Sequence, residues 1–186
     1  MWLSSLLGLE PAHLAELAKS GSGDVDLVPA FAGLGAPYWD ERAVAMISGF
    51  GLGTRPADLA HAAFESIALQ TEAVLRAAER DLGFPIDAML VDGGPTRNDW
   101  LMRLQADLSQ RSVLRSNVAE LSAMGAAHMA GVSVGLWSET ECLRLPRDRS
   151  LFAPSLTPPL ANERWKRWQA AVTRSRFAAD EVENEA

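Results

Sequence analysis

The expected fold of this chain is decided by one stretch, Val91-Asp92-Gly93-Gly94-Pro95-Thr96-Arg97-Asn98. The apolar run before it, Ile86 to Val91, predicts a strand, and residues 98–108 predict a helix. Glycines between a strand and a helix let a ligand lie against the backbone, and the free N–H groups of a helix start favour anions. The stretch is therefore either a tight turn with Asn98 as a helix cap or a binding site for an anionic ligand.

The alternation of strand and helix continues on both sides of this stretch. Before it come a strand-like run, Arg42 to Phe50, and a helix that starts near Pro56 and stops at Gly83. After it come a strand that begins at Ser112 and a helix from Leu121 to Leu136. Such alternation predicts right-handed crossovers and a mainly parallel sheet covered by helices. Ligands of open α/β sheets bind outside the carboxyl ends of the strands, where the glycine pair is expected.

The outer parts of the chain show weaker patterns. Residues 2–17 predict two helical pieces broken at Pro11, and Val25 to Phe31 predicts a short strand. The segment from Leu145 to Pro159 contains four prolines and is expected to be extended on the surface. Helical spacing returns from Asn162 to Asp180, with one face formed by Trp165, Trp168 and Val172.

Composition excludes several classes of protein. The 186 residues include 17 Lys plus Arg and 24 Asp plus Glu, a net charge of −7, which argues against coating a nucleic acid. The single cysteine, Cys142, excludes an internal disulfide framework. The longest nearly apolar run, Met124 to Trp137, is shorter than the ~20 residues that a membrane-spanning helix needs. The first basic residue is Lys19, so no secretory signal is expected and the predicted location is the cytoplasm.

Two further segments are rich in small residues. The loop Gly33-Leu34-Gly35-Ala36-Pro37-Tyr38-Trp39-Asp40 either borders a cleft or is a rigid connection with a buried tryptophan. The small side chains of Glu120-Leu121-Ser122-Ala123-Met124-Gly125-Ala126-Ala127 suit a helix that pivots at a domain boundary, or ordinary tight packing.

No catalytic set is predicted within the chain. Its three histidines, His13, His61 and His128, fall in three different predicted helices without metal-ligand spacing. Ser122 has no evident base partner. Glu65 lies among apolar residues and is expected to join a polar network rather than act as a general base. Contacts alone are expected of the carboxylates Asp40, Asp92 and Glu120.

Four segments, in this order, resemble the C-terminal domain of the FGGY family of carbohydrate kinases, most closely its glycerol kinases. They are the loop Val28 to Asp40, the stretch Ala45 to Glu65, Asp92-Gly93-Gly94 with Asn98, and Glu120 to Ala127. The resemblance implies an α/β fold of the actin-like ATPase (ribonuclease H-like) type, a mixed sheet flanked by helices that forms a partial C-terminal domain. It implies a nucleotide-binding lobe over residues 1–145, with a Pro-rich segment and a helix, 146–186, packing on it.

The same resemblance implies transfer of the γ-phosphate of ATP to a hydroxyl of glycerol or a related sugar. Gly93, Gly94 and Asn98 would contact ATP, whereas Ala45, where the family often has glycine, is not assigned to the site. The catalytic base and most of the polyol site would belong to an N-terminal lobe outside this sequence, and the Mg²⁺ ligands are not expected within this sequence. The chain alone is therefore expected to be inactive.

Expected partners are ATP or ADP and a polyol or sugar, with no nucleic acid or membrane. A homodimer is possible, because the helix from Leu121 would lose a neighbour if the other lobe were absent. An alternative hypothesis is a free-standing nucleotide-binding or interaction module without kinase activity. A purely structural α/β domain is a third hypothesis.

Overall fold

The computed structural model describes the backbone of residues 2–118 and 120–183, and side chains as far as Arg176. Helices and strands alternate irregularly along these ranges, in the order α1 Trp2–Leu7, α2 Pro11–Ala18, β1 Asp26–Val28, β2 Met46–Ser48, α3 Pro56–Leu82, β3 Ala88–Val91, α4 Asp99–Ser109, β4 Ser112–Ser116, α5 Leu121–Ser133, α6 Glu139–Arg144, β5 Arg149–Phe152 and α7 Pro158–Glu183. Among these helices, none combines the length and the apolar character needed to cross a membrane.

The strands form a mixed arrangement, as the predicted fold class requires, but the expectation of a mainly parallel sheet is wrong. β4 is the central strand of a three-stranded sheet, with β3 parallel on one side and β5 antiparallel on the other. β1 and β2 pair antiparallel in a separate sheet. No helix lies between β1 and β2, so this pair lacks the crossover that parallel strands usually have. β5 pairs antiparallel with β4 although α5 and α6 lie between them.

The long helix α3 begins and ends where its sequence predicts. Pro56 occupies the first turn, and the Asp58 carboxylate accepts hydrogen bonds from the backbone N–H groups of Arg55 and Ser22, both at 2.8 Å. The contact with Arg55 holds the pKa of Asp58 well below its ordinary value. Gly83 ends the helix with φ of +75°, a left-handed conformation that glycine adopts without a steric penalty.

The main core lies between α3, α4 and α7, where it buries apolar side chains such as Leu69, Leu108, Trp168 and Val172. The indole N–H of Trp168 donates to the carbonyl oxygen of Leu27 at 2.9 Å, so α7 is attached to β1 as well as to α4. A second core cluster covers the three-stranded sheet through Met89, Val113 and Phe152. These contacts give the sheet and the helices a common support.

The segment from Leu145 to Pro159 is not simply extended on the surface. Residues 149–152 form β5, whose Phe152 is buried opposite Val113. The alternation of exposed and buried residues in β5 covers only four positions, too few for a clear strand pattern between prolines. The short helix α6 was also not predicted, although Ser138 and Glu141 form a capping box at its start.

Candidate functional site

The parallel strands β3 and β4 end at the same edge of their sheet. Val91, the last residue of β3, lies opposite Arg115 of β4. Asp92, Gly93 and Gly94 follow β3 directly, and Asn117 follows β4. The fold therefore brings the predicted glycine pair to the carboxyl edge of the strands, where α/β sheets bind their ligands.

At Gly93 the turn has a backbone conformation that only glycine adopts easily. Gly93 has φ of +94°, and Gly94 begins a single turn of 3₁₀ helix that ends at Arg97. A Cβ atom placed on Gly94 would meet no other atom within 4 Å. The space in front of Gly94 is therefore open, and the bare backbone faces it.

Asn98 is the N-cap of α4. Its side-chain oxygen accepts hydrogen bonds from the backbone N–H groups of Trp100, at 3.0 Å, and Leu101, at 3.1 Å. The side-chain oxygen of Asn98 therefore caps the helix, as one of the two predictions for this stretch states. Its role toward a nucleotide stays a prediction, which depends on the amide nitrogen of the same side chain.

A cavity of about 620 Å³ opens at the strand edge, between the glycine turn, the end of β4 and the start of α5. This volume is in the range of small-molecule sites. Of the three predicted contact residues, Gly93 and Gly94 line the cavity and Asn98 does not. Charged and polar side chains without a predicted role also line it: Thr96, Arg97, Asp99, Arg115, Ser116 and Asn117. Charges of both signs lie around it, because Asp92 and Glu120 are also part of the lining. The turn residues could have been found from their nearness to the glycines, but no sequence signal identifies Arg115.

The loop of residues 33–40 is a connection attached to α7 and does not line this cavity. The hydroxyl of Tyr38 accepts a hydrogen bond from Gln169 at 2.6 Å, and Asp40 pairs with Arg176 at 2.8 Å. Trp39 is not buried, since 78% of it is exposed. The loop, which lies between β1 and β2 in the chain, therefore ties the two-stranded sheet to α7 through these side-chain contacts.

Glu65 belongs to a buried polar cluster, as predicted. Only 2% of Glu65 is exposed, and its two oxygens lie 3.4 Å from Arg164 Nη1 and 3.7 Å from His61 Nε2. Burial raises the pKa of Glu65 to about 7, and Arg164 opposes that rise. The described residues contain no group of three metal-ligating side chains, here or at the cavity.

Comparison with known proteins agrees with this fold. The pattern of the FGGY family of carbohydrate kinases, C-terminal domain, matches residues 6–134. The solved glycerol kinase of Plasmodium falciparum, a structure with ADP, superposes with a TM-score of 0.83 at 26% identity and covers 94% of this chain. A gluconate kinase of Lactobacillus acidophilus has the same fold, with a TM-score of 0.79 at 16% identity over 93% of the chain. The fold is that of the actin-like ATPases, and the chain belongs to the FGGY family.

Relatives with curated functions share more of the sequence. An apulose kinase of Pectobacterium atrosepticum is 41% identical over 95% of this chain, and a glycerol kinase of Dechloromonas aromatica is 44% identical over 94%. In both comparisons the chain spans only 36% of the relative's length. The two solved kinases are likewise matched over 36% of their own chains.

Proposed function

We propose that this chain supplies the nucleotide-binding lobe of an ATP-dependent kinase that phosphorylates a hydroxyl of glycerol or a related sugar. The single observation that carries the proposal is the open glycine turn at the carboxyl edge of β3 and β4, in a member of a carbohydrate kinase family. The likeness to a glycerol kinase solved with ADP supports adenine nucleotide as the ligand. In this proposal the protein acts in the cytoplasm.

The residues present fit a nucleotide. Gly93 and Gly94 leave room for a flat or extended group to approach the backbone, and the cavity is large enough for much of a nucleotide. Asn98 would offer its amide N–H₂ while its oxygen stays on the helix cap. Bound ATP would supply the phosphoryl group that the reaction transfers. Mg²⁺ would accompany the phosphates, held by ligands outside the described residues.

The remaining parts of the reaction are assigned by the proposal to a second lobe. Phosphoryl transfer depends on positioning and on charge stabilisation around the metal–nucleotide complex, and a nucleotide wall alone supplies only part of this. Residues 1–145 would form the lobe, and residues 146–186 would pack on it through β5 and α7. The polyol or sugar and the catalytic base would lie in the other lobe.

Binding of ADP to the wild-type chain and to Gly94→Val tests the proposal. A valine side chain at residue 94 enters open space, so the variant should fold normally, while its methyl groups occupy the position of the ligand. We expect ADP to bind the wild-type chain weakly and the variant at least tenfold more weakly, as measured by calorimetry. Gly53→Val is a matched control, since Gly53 also faces open space but lies away from the cavity. Equal affinity in Gly94→Val and wild type would refute the site.

A further inference from the structure

Arg115 lies between the glycine turn and the rest of the sheet. It is directly opposite Val91 across the parallel pair β3–β4, one residue before the turn begins. Its guanidinium nitrogen Nη1 donates to the carbonyl oxygen of Thr96 at 2.8 Å and to the carboxylate of Asp99 at 2.6 Å. One side chain of β4 therefore holds both the 3₁₀ turn and the first residue of α4.

The turn itself depends on few other contacts. The hydroxyl and the N–H of Thr96 both donate to the carbonyl oxygen of Gly93, at 2.8 and 3.2 Å, which closes the turn on itself. Cβ atoms at Gly93 and Gly94 would touch nothing within 4 Å among the described residues, so no neighbouring side chain packs against these two glycines on that side. The bond from Arg115 to Thr96 ties the closed turn to the neighbouring strand β4.

Arg115 is itself held in position. Its guanidinium carbon lies 5.0 Å from the ring centroid of Phe152 of β5, a side chain that is 7% exposed. The side chain of Arg115 is 18% exposed, so its bond to the Thr96 carbonyl is partly shielded from water, whereas the Asp99 carboxylate is 62% exposed and its bond is a surface contact. A continuous path of contacts runs from the core through Phe152 and Arg115 to the glycine turn.

We propose that Arg115 is a positioning residue that holds the glycine turn in the shape that receives the nucleotide. The inference rests on the proposed function, because it assumes that the cavity binds an adenine nucleotide. Arg115 acts through Thr96 and Asp99, so its removal loosens the turn before any ligand is added. The same loosening raises the cost of ordering the turn around a ligand.

The test combines hydrogen exchange in the free protein with ADP affinity. The amides of Thr96 and Asn98 donate to the oxygens of Gly93 and Pro95, so their exchange rates report on the turn. For Arg115→Met we expect about tenfold faster exchange at both amides and about tenfold weaker ADP binding, the effect of losing charged hydrogen bonds. Arg103→Met, which removes the same charge from an exposed position of α4, should change neither quantity.

A second variant keeps the test decisive if Arg115→Met does not fold. Arg115→Lys retains the charge with a shorter reach, and we expect exchange at Thr96 between the wild-type and methionine values. Unchanged exchange in the variants that fold would overturn the proposal. If ADP binding were nevertheless weaker, Arg115 would contact the ligand directly instead of holding the turn. If the wild-type chain binds no ADP, the proposed function fails, while exchange in the free protein still decides whether Arg115 holds the turn.

Discussion

At the scale of single residues, the two glycines of the loop 33–40 have different roles. Gly33 has φ of +79°, and a Cβ atom there would lie 2.6 Å from the carbonyl oxygen of Asp40. A Cβ atom on Gly35 would meet nothing within 4 Å, and its backbone is not left-handed. The loop needs glycine at the first position for both its conformation and its space, and at the second for neither.

Gly33→Ala should therefore destabilise the protein by about 2 kcal/mol or more, because backbone strain adds to a clash with backbone atoms that cannot move away easily. Gly35→Ala is the control in the same loop and should change stability by less than about 1 kcal/mol. Urea unfolding of both variants measures the difference. Similar stabilities would show that the loop relaxes around residue 33.

A second residue-scale feature is the pair of His61 and Glu65. His61 Nδ1 lies 3.1 Å from the carbonyl oxygen of Ala18, which can only accept, so this nitrogen carries the proton in the neutral ring. His61 Nε2 and Glu65 Oε2 then face each other at 3.7 Å, both buried and without other hydrogen-bond partners. Burial lowers the pKa of His61, and beside the neutral ring two acceptors would face each other unless Glu65 holds a proton. The charged groups around them are Arg164 and Arg167 of α7, Asp26 of β1 and Asp58 of α3.

This geometry makes the effect of Glu65→Gln depend on pH. The folded pKa of Glu65, about 7, is above its ordinary value of 4.5. The stability that this group contributes is therefore fully present below pH 4.5 and is lost as pH rises through 7. Glutamine does not ionise. The free energy of unfolding of the variant, relative to wild type, should therefore rise by up to about 3 kcal/mol as the pH increases from 4.5 to 7. Unfolding at pH 5, 6, 7 and 8 measures this. A constant difference between the two proteins would contradict it.

At the scale of elements, α5 differs from every other long helix. It is apolar and yet exposed: Gly131, covered by the ring of Trp137, is its buried residue, and Met129 is 63% exposed. Gly125, Ala126 and Ala130 are exposed beside Met129, on the face for which the sequence predicts a missing neighbour. By contrast, the described part of α7 packs chiefly on β1 and α4.

We expect this face of α5 to drive self-association, because contiguous exposed apolar surface favours burial against another chain. Light scattering over a concentration series should show a rising mean mass. Gly125→Glu should reduce it, and the substitution is compatible with a folded monomer because no atom lies within 4 Å of the added Cβ. A monomer at every concentration, unchanged by Gly125→Glu, would contradict the expectation and favour a free-standing module.

At the scale of the whole molecule, the chain corresponds to about a third of the kinases that it resembles. We expect the purified chain to show no phosphorylation of glycerol, ketoses or related polyols, because nucleotide binding alone does not position an acceptor or a base. A coupled assay of ADP release with a panel of these compounds measures this. Turnover by the purified chain, at a rate that Gly94→Val reduces, would overturn the two-lobe proposal.

Features that depend on neighbouring residues could be predicted from the amino-acid sequence. The glycine turn between β3 and α4, the Asn98 cap and the ends of α3 at Pro56 and Gly83 follow from backbone preferences and capping, which act over a few positions. The four ordered motifs determined the family for the same reason, since each is a local pattern.

Contacts between residues far apart in the chain became clear from the folded structure. Arg115 reaches the glycine turn because β4 pairs with β3 in one register, and a shift of one residue would turn it to the other face. Arg164 of α7 and Glu65 of α3 are 99 residues apart in sequence. They meet because the two helices contribute to the same core. β5 joins the sheet antiparallel through pairing with β4. No local pattern encodes these partners, because strand register and helix packing are set by the burial of whole surfaces.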